Sequence, residues 1–228
     1  MKQIVLLSGG LDSAVCLAKA VREGEVRLAL NFSYGQRAEE RERESARKLA
    51  EHYGVPFEAL ELPFLKSLTD TALVSEEMPL PEPDPDDLDD PQKGKENALQ
   101  VWVPNRNGLF VNIAACYAES LGCDLIVAGF NAEEAKSFPD NSADFVEAAN
   151  RAFFYSTRTG VRLISYTQEL TKAEIARLGA ELGLPFELVW SCYRGDERMC
   201  GRCESCRRFR RAVGEAGLVG ILRSLGWL

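Results

Sequence analysis

Apolar runs of strand length alternate with segments of helical period from the first residues of this 228-residue chain, and that alternation limits the folds open to it. Gln3 to Leu7 reads as a buried strand, Ser13 to Arg22 as a helix, Val26 to Phe32 as a second strand, and Arg37 to Tyr53 as a long charged helix stopped by Gly54 and Pro56. Phe57 to Leu62 reads as a third strand, Gly108 to Ser120 as a largely apolar helix, Asp124 to Ala128 as a short strand, and Ser142 to Tyr155 as an amphipathic helix. Val161 to Ser165 adds a last strand, and Lys172 to Leu182 a helix between Thr171 and Gly183. Such alternation predicts an α/β fold with a doubly wound, mostly parallel sheet and helices on both faces. Ligands in such sheets bind beyond the carboxyl ends of the strands. No internal repeat is visible. The expected division is a catalytic domain over residues 1–185 and a cysteine-rich region over residues 186–228.

At 46% hydrophobic and 27% charged, the chain has an ordinary globular composition, which argues against disorder and against a disulfide-stapled miniature fold. Its formal net charge of -8 comes from one place. Glu76 to Pro91 holds eight acids and no base, so the other 27 acids balance the 27 bases. Glu76 to Lys95 also carries five of the ten prolines, and is expected to be a solvated, mobile loop with no helix interior or central strand. No apolar run is long enough for a bilayer, and the N-terminus enters a strand pattern without signal-peptide anatomy, so a cytoplasmic protein is expected. The single histidine, His52, stands just before Gly54 and reads as a helix-end surface residue. One imidazole in that position excludes a Ser-His-Asp triad or a multi-histidine metal site.

The first strand runs straight into Ser8-Gly9-Gly10-Leu11-Asp12-Ser13, followed by a helix. Two glycines permit a sharp turn and close backbone approach, two serines offer hydroxyls, and the free N–H groups of a helix start add partial positive charge. That combination suits phosphate, although it is neither the Walker pattern nor the dinucleotide fingerprint. A glycine turn with Asp12 or Ser13 as helix cap explains the same residues one by one. The complete S-G-G-x-D-S hexapeptide resembles the pyrophosphate-loop ATP enzymes, which split ATP to AMP and pyrophosphate. That resemblance implies an adenine nucleotide alpha hydrolase-like fold, with Ser8, Gly9, Gly10 and Ser13 holding pyrophosphate. Leu7, Leu11, Ala14, Val15, Cys16 and Leu17 complete the nucleotide-binding stretch. Asp12 would cap the helix and face magnesium; Arg37 and Lys172 are the candidate cations for the triphosphate. Asp12, Ser13 and Lys172 are the expected catalytic residues.

Cys192, Cys200, Cys203 and Cys206 form C-x7-C-x2-C-x2-C, in which the two-residue gaps let successive thiolates converge and Gly201 eases the turn. Cys192 then closes the fourth corner of a tetrahedral, structural zinc site, with an iron-sulfur cluster as the rival that spacing alone leaves open. Cys16, Cys116 and Cys123 read as buried small side chains. Around the cluster stand Arg194, Arg198, Arg202, Arg207, Arg208, Arg210 and Arg211, available to the thiolates, to RNA or phosphate, or to the acidic loop of a second subunit. An RNA-binding zinc protein is therefore an alternative, although the interleaved aromatics of a single-strand platform are missing.

Read in order, further segments resemble the 7-cyano-7-deazaguanine synthase family (QueC). They are Phe32-Ser33-Tyr34-Gly35-Gln36-Arg37, Val103-Pro104-Asn105-Arg106-Asn107, Gly129 through Phe138-Pro139-Asp140, Leu170-Thr171-Lys172-Ala173-Glu174, and Ser191-Cys192-Tyr193 leading to Cys200-Gly201-Arg202-Cys203-Glu204-Ser205-Cys206. Where many members have Tyr-Pro-Asp-Cys-Arg, this chain has Phe138-Pro139-Asp140-Asn141-Ser142. The resemblance implies ATP-dependent conversion of 7-carboxy-7-deazaguanine and ammonia to 7-cyano-7-deazaguanine through an adenylated carboxylate and an adenylated amide. It implies zinc and magnesium, free ammonia as nitrogen donor, no RNA requirement and a homodimer. A tRNA-modifying ligase or thiolase of the same loop class is the enzymatic alternative. Since Phe32, Tyr34, Arg106, Asn107, Phe138 and Asp140 all follow strands or precede the apolar helix, they are expected to line one substrate pocket beside the phosphate loop, with Arg106 or Arg37 near the carboxylate and Asp140 near the base edge. Thr69 to Asn97 or Phe130 to Asn141 is the expected closing loop.

Overall fold

A computed structural model describes residues 1–88 and 90–227; Asp89 of the acidic stretch and Leu228 lie outside the described residues. Five parallel strands, β1 (Lys2–Leu6), β2 (Glu25–Ser33), β3 (Phe57–Glu61), β4 (Leu125–Val127) and β5 (Arg162–Ile164), lie in the order β3-β2-β1-β4-β5. Each neighbouring pair is parallel. The order reverses direction at β1, which makes the carboxyl end of that strand the switch point of the sheet.

The helices are α1 (Leu11–Glu23), α2 (Glu39–His52), α3 (Pro91–Gln100), α4 (Arg106–Ser120), α5 (Ala143–Ser156), α6 (Lys172–Glu181), α7 (Glu204–Glu215) and α8 (Val219–Ser224). Successive strand residues point to opposite faces, so Val5 and Leu7 join one core and Ile4 the other. The first core gathers α1, α2, α6 and α7, with Val15, Leu49, Ile175 and Phe209 against the sheet. The second packs α4 and α5 there through Val111, Ala114 and Phe153. A strand covered on both sides needs apolar side chains in both directions, which is why the sequence shows runs rather than alternation. Phe209, Ala212, Val213 and Leu222, from the cysteine-rich segment, share the first core with α1.

Two expectations fail here. The stretch from Glu76 to Lys95 contains the first half of α3 as well as a short turn at Pro85–Asp87. Pro91 opens α3 at the one position where a missing N–H costs nothing, and the Asp90 side chain accepts from Gln92 and Lys93 N–H at 2.8 and 3.1 Å. Leu80 and Leu88 are buried, Glu204 N–H donates to Pro81 O at 2.9 Å, and Glu82 pairs with Arg194 and Arg202 at 2.8 and 3.2 Å. The acidic segment is thus a strap laid over the cysteine-rich region. Cys116, expected to be buried, is exposed on α4, whereas Cys16 and Cys123 are buried. No described helix is long and apolar enough to cross a membrane.

Gly129, just beyond β4, is packed directly on the turn after β1. A Cβ there would lie 2.7 Å from Ser13 N and 3.0 Å from the Asp12 carbonyl carbon, both backbone atoms that cannot move aside. Gly129→Ala should therefore cost about 1–3 kcal/mol of stability, the range of overpacked cores. Calorimetry should show this as a fall in Tm of roughly 3–10 °C.

Candidate active site

The turn after β1 is held from both sides. Gly9 has φ +87, in the region open to glycine, and a Cβ on it would strike Ser45 Oγ at 2.7 Å. Its carbonyl accepts from Ser45 Oγ at 3.0 Å and from Trp190 N–H at 2.9 Å. Gly10 is the helix cap and its carbonyl accepts from Ala14 N–H, which leaves the N–H groups of Leu11, Asp12 and Ser13 without helical partners. Ser8 Oγ and Ser13 Oγ lie 3.1 Å apart at the same mouth. The result is an anion cradle of amides and hydroxyls at the positive end of a buried helix.

Asp12 does not cap α1, because Gly10 holds that position and the carboxylate turns to Lys172 instead. Lys172, the first residue of α6, places Nζ 2.5 Å from Asp12 Oδ2 and 2.6 Å from Glu134 Oε1. Asn131 Nδ2 donates to Asp12 Oδ2 at 3.2 Å, while Asp12 Oδ1 is buried without a hydrogen-bond partner. Two carboxylates answer to one ammonium. Burial pulls the Lys172 ammonium pKa down, but Asp12 and Glu134 outweigh it and hold it above the usual range. Burial likewise raises Glu134, yet Lys172 more than offsets it and keeps that carboxyl below its ordinary value. Asp12 yields: burial, its largest influence, pushes it up to about 6 against the pull of Lys172.

A cavity of about 300 Å³ opens from this cluster along the carboxyl edge of the sheet. Its far end is aromatic. Phe32 stacks on Phe110 with ring centroids 4.1 Å apart, and Tyr34 and Phe138 complete the walls. Arg106 Nη1 donates to Tyr34 OH at 3.0 Å, with the guanidinium carbon 5.7 Å from the Tyr34 ring centroid. The arginine is set by an unusual helix start: Asn105 adopts φ 52, and Gly108 leaves room for its side chain, since a Cβ there would lie 2.1 Å from Asn105 Oδ1. Asn107 Nδ2 donates to Asp140 O at 3.3 Å.

Leu7, Ser8, Gly10, Leu11, Asp12, Ser13, Phe32, Tyr34, Arg106, Asn107, Phe138 and Lys172 therefore line one cavity, as their strand-end positions imply. Others do not. Ala14, Val15, Cys16 and Leu17 are fully buried in the core, because α1 is sandwiched between sheet and α6. Arg37 turns away, and its guanidinium holds the Ser75 and Met78 carbonyls under the strap. Asp140 stands behind the wall, and its neighbour Asn141 lines the cavity in its place. Asn131, Glu133, Glu134, Glu42 and Arg208 line or support the site without a sequence motif to announce them. The signal available was position: Asn131, Glu133 and Glu134 are polar residues just past a buried strand.

The four expected metal ligands converge, all sulfur atoms lying within 4.8 Å of one another. Cys192 and Cys203 Sγ are 4.0 Å apart and Cys200 and Cys206 Sγ 3.9 Å, against roughly 3.8 Å between thiolates around tetrahedral zinc. Backbone N–H groups of Arg194 and Cys200 point at Cys192 Sγ from 3.3 and 3.4 Å, as thiolate ligands require. The donor set fits zinc. Neighbouring arginines meet acids of this same chain: Arg194 and Arg202 take Glu82, Arg208 takes Glu204, and Arg211 takes Glu133.

Known proteins resemble the chain along nearly its whole length. The most similar relatives include 7-cyano-7-deazaguanine synthase of Desulforudis audaxviator, 59% identical over 97% of this chain and 100% of its own length. The enzyme of the same name from Pelotomaculum thermopropionicum is 58% identical over 96% and 99%. Among solved structures, NMN synthetase from Francisella tularensis aligns over 95% of this chain and 84% of its own with 18% identity and a TM-score of 0.47, a likeness too slight to carry function. Residues 2–217 match the pattern described as "Queuosine biosynthesis protein QueC", and the chain belongs to that family.

Proposed function

We propose that this chain makes 7-cyano-7-deazaguanine from 7-carboxy-7-deazaguanine, ammonia and ATP. One observation carries the reading: the anion cradle at the start of α1 and the aromatic pocket around Arg106 open into a single cavity, so a planar carboxylate and a nucleotide can meet there. Its curated relatives bear the name of that synthase.

The steps follow from the chemistry of a carboxylate, which is a poor electrophile until its oxygen becomes a leaving group. Phe32, Tyr34 and Phe138 hold the ring and Arg106 holds the carboxylate against the α-phosphate. Ser8, Ser13 and the first N–H groups of α1 take the pyrophosphate, and Lys172 neutralises charge that develops as it departs. Ammonia replaces AMP to form an amide. A second ATP then activates the amide oxygen in the same cradle, and loss of AMP leaves the nitrile. Water must be kept out, and Leu73, Gly94 of the strap and Val101 close one wall while Phe130 to Asn141 closes another. The partnerless buried Asp12 Oδ1 fits a magnesium ion, which when bound supplies charge neutralisation to the phosphates. The zinc held by Cys192, Cys200, Cys203 and Cys206 is structural, since four thiolates leave no open position.

Residues 1–185 serve as the ATP-binding part and 186–228 as the zinc-binding part of a cytoplasmic homodimer that needs no RNA. Adjacent Phe154 and Tyr155, 75% and 84% exposed on α5, offer an apolar patch of the kind a second copy covers.

Asp12 must be ionised to work, and it gains a proton as pH falls through about 6. At a fixed, subsaturating magnesium concentration, kcat/KM for ATP should be level near neutral pH and fall on the acid side of that value, and saturating magnesium, which competes with the proton for Asp12, should move the fall to lower pH. Asp12→Asn should remove the dependence and lower turnover roughly 100-fold or more, the scale of losing one charge contact to a reacting group. Arg106→Ala should raise KM for the carboxy-deazaguanine at least about tenfold, the loss of a charged hydrogen bond, while KM for ATP changes little. Metal analysis should find one zinc per chain with no visible absorption. Cys203→Ser should lose the metal and lower the melting temperature; bound iron would refute the zinc assignment.

A further inference from the structure

The cavity contains a carboxylate that the steps above leave idle. Glu42, on α2, lines it between the anion cradle and the aromatic pocket. On one side its carbonyl packs on Gly9, where an added Cβ would come within 2.9 Å of it. On the other, Glu42 Oε2 accepts from Gln36 Nε2 at 2.9 Å, and Gln36 Oε1 in turn accepts from Tyr34 N–H at 2.8 Å. The reacting carboxyl carbon has to sit between the same two places, because it is bonded to the ring in one direction and, through oxygen, to phosphorus in the other.

Glu42 has a neutral amide as its hydrogen-bond partner and no ion-pair partner among the described residues. The charged or titratable groups that act on it include Arg106, already bonded to Tyr34, Tyr34 itself, Glu39 of its own helix, and Cys192 across the cavity. A half-buried carboxylate that lines the cavity with one neutral donor, its cation Arg106 lying beyond ion-pair distance, can take a further cation. Ammonia at neutral pH is almost wholly ammonium, which has no lone pair to attack with.

We infer that Glu42 binds the ammonium ion that supplies the nitrile nitrogen and takes its proton beside the activated carboxyl carbon. This rests on the reaction proposed above. An N–H bond of ammonium breaks toward a Glu42 oxygen, and the freed lone pair forms the C–N bond. The C–O bond to AMP breaks with its electrons leaving on AMP, and the surplus proton of the new amide goes to water. Arg106 and Glu42 thereby present opposite charges to the two reacting ions.

The test supplies the full chain with ATP, magnesium, 7-carboxy-7-deazaguanine and one of two nucleophiles, ammonium chloride or hydroxylamine. Hydroxylamine is uncharged at neutral pH and needs no cation site. Products are read by mass as amide, nitrile or hydroxamate. Glu42→Gln should raise KM for ammonium at least about tenfold, the scale of a lost charge-assisted hydrogen bond, and impair hydroxamate formation far less. Equal losses with both nucleophiles, or unchanged use of ammonium, would overturn the assignment. Glu42→Asp keeps the charge but withdraws it from the cavity, so it should fall between, and it decides the matter if circular dichroism shows the Gln variant unfolded. A native chain that makes neither nitrile nor hydroxamate overturns the parent reaction, and the ammonium site with it.

Discussion

Lys172 reaches from the first residue of α6 to Asp12 at the start of α1 and to Glu134 in the loop after β4, so one side chain joins three segments that are far apart in sequence. Its own backbone N–H donates to Glu133 Oε1 at 2.8 Å, and Glu133 Oε2 accepts from Arg211 on α7 at 3.1 Å. The cysteine-rich segment is thereby tied to the same cluster. Burying an ammonium is costly unless its charges are answered, and here the answer comes from two carboxylates. Burial first, and the second carboxylate after it, raise Asp12, and one of its oxygens is left free to meet a cation. The rest of the site is arranged around this knot.

Function comes from what the sheet places along one edge. β1, β2 and β4 end side by side, and their following residues supply the anion cradle, the aromatic wall and the carboxylate loop respectively. The strap contributes to one flank, and Trp190 to Tyr193 with α7 covers the other, so the segment that carries the four cysteines also shapes the cavity. Tethering by Trp190 N–H to Gly9 O makes the link direct.

The parts that were legible in sequence are those whose chemistry is local. Ser8 to Ser13 and the four cysteines each carry their ligand set within a few residues, and the strand-helix alternation follows from burial on both faces of the sheet. Glu134 and Asn131 could not be read that way, because Glu134 depends on Lys172, 38 residues further on, and Asn131 on Asp12, 119 residues before it. Helix α3 was hidden by its surroundings: the acids and prolines before it outweighed the local start made by Asp90 and Pro91. Arg37 misled for the opposite reason. It sits in a motif that looks like ligand binding, yet its donors serve the carbonyls of the strap.

The strap has a bearing on what the rest of the surface can attract. Glu82 lies between Arg194 and Arg202, and Asp84 stands 4.0 Å from Arg207. The basic segment therefore carries its own counter-ions, covalently attached and present at any salt concentration. The driving force of nucleic-acid binding is the release of mobile ions into solution, and tethered carboxylates cannot be released. The same strap that lends Gly94 to the cavity wall thus neutralises part of the segment whose composition invites a polyanion.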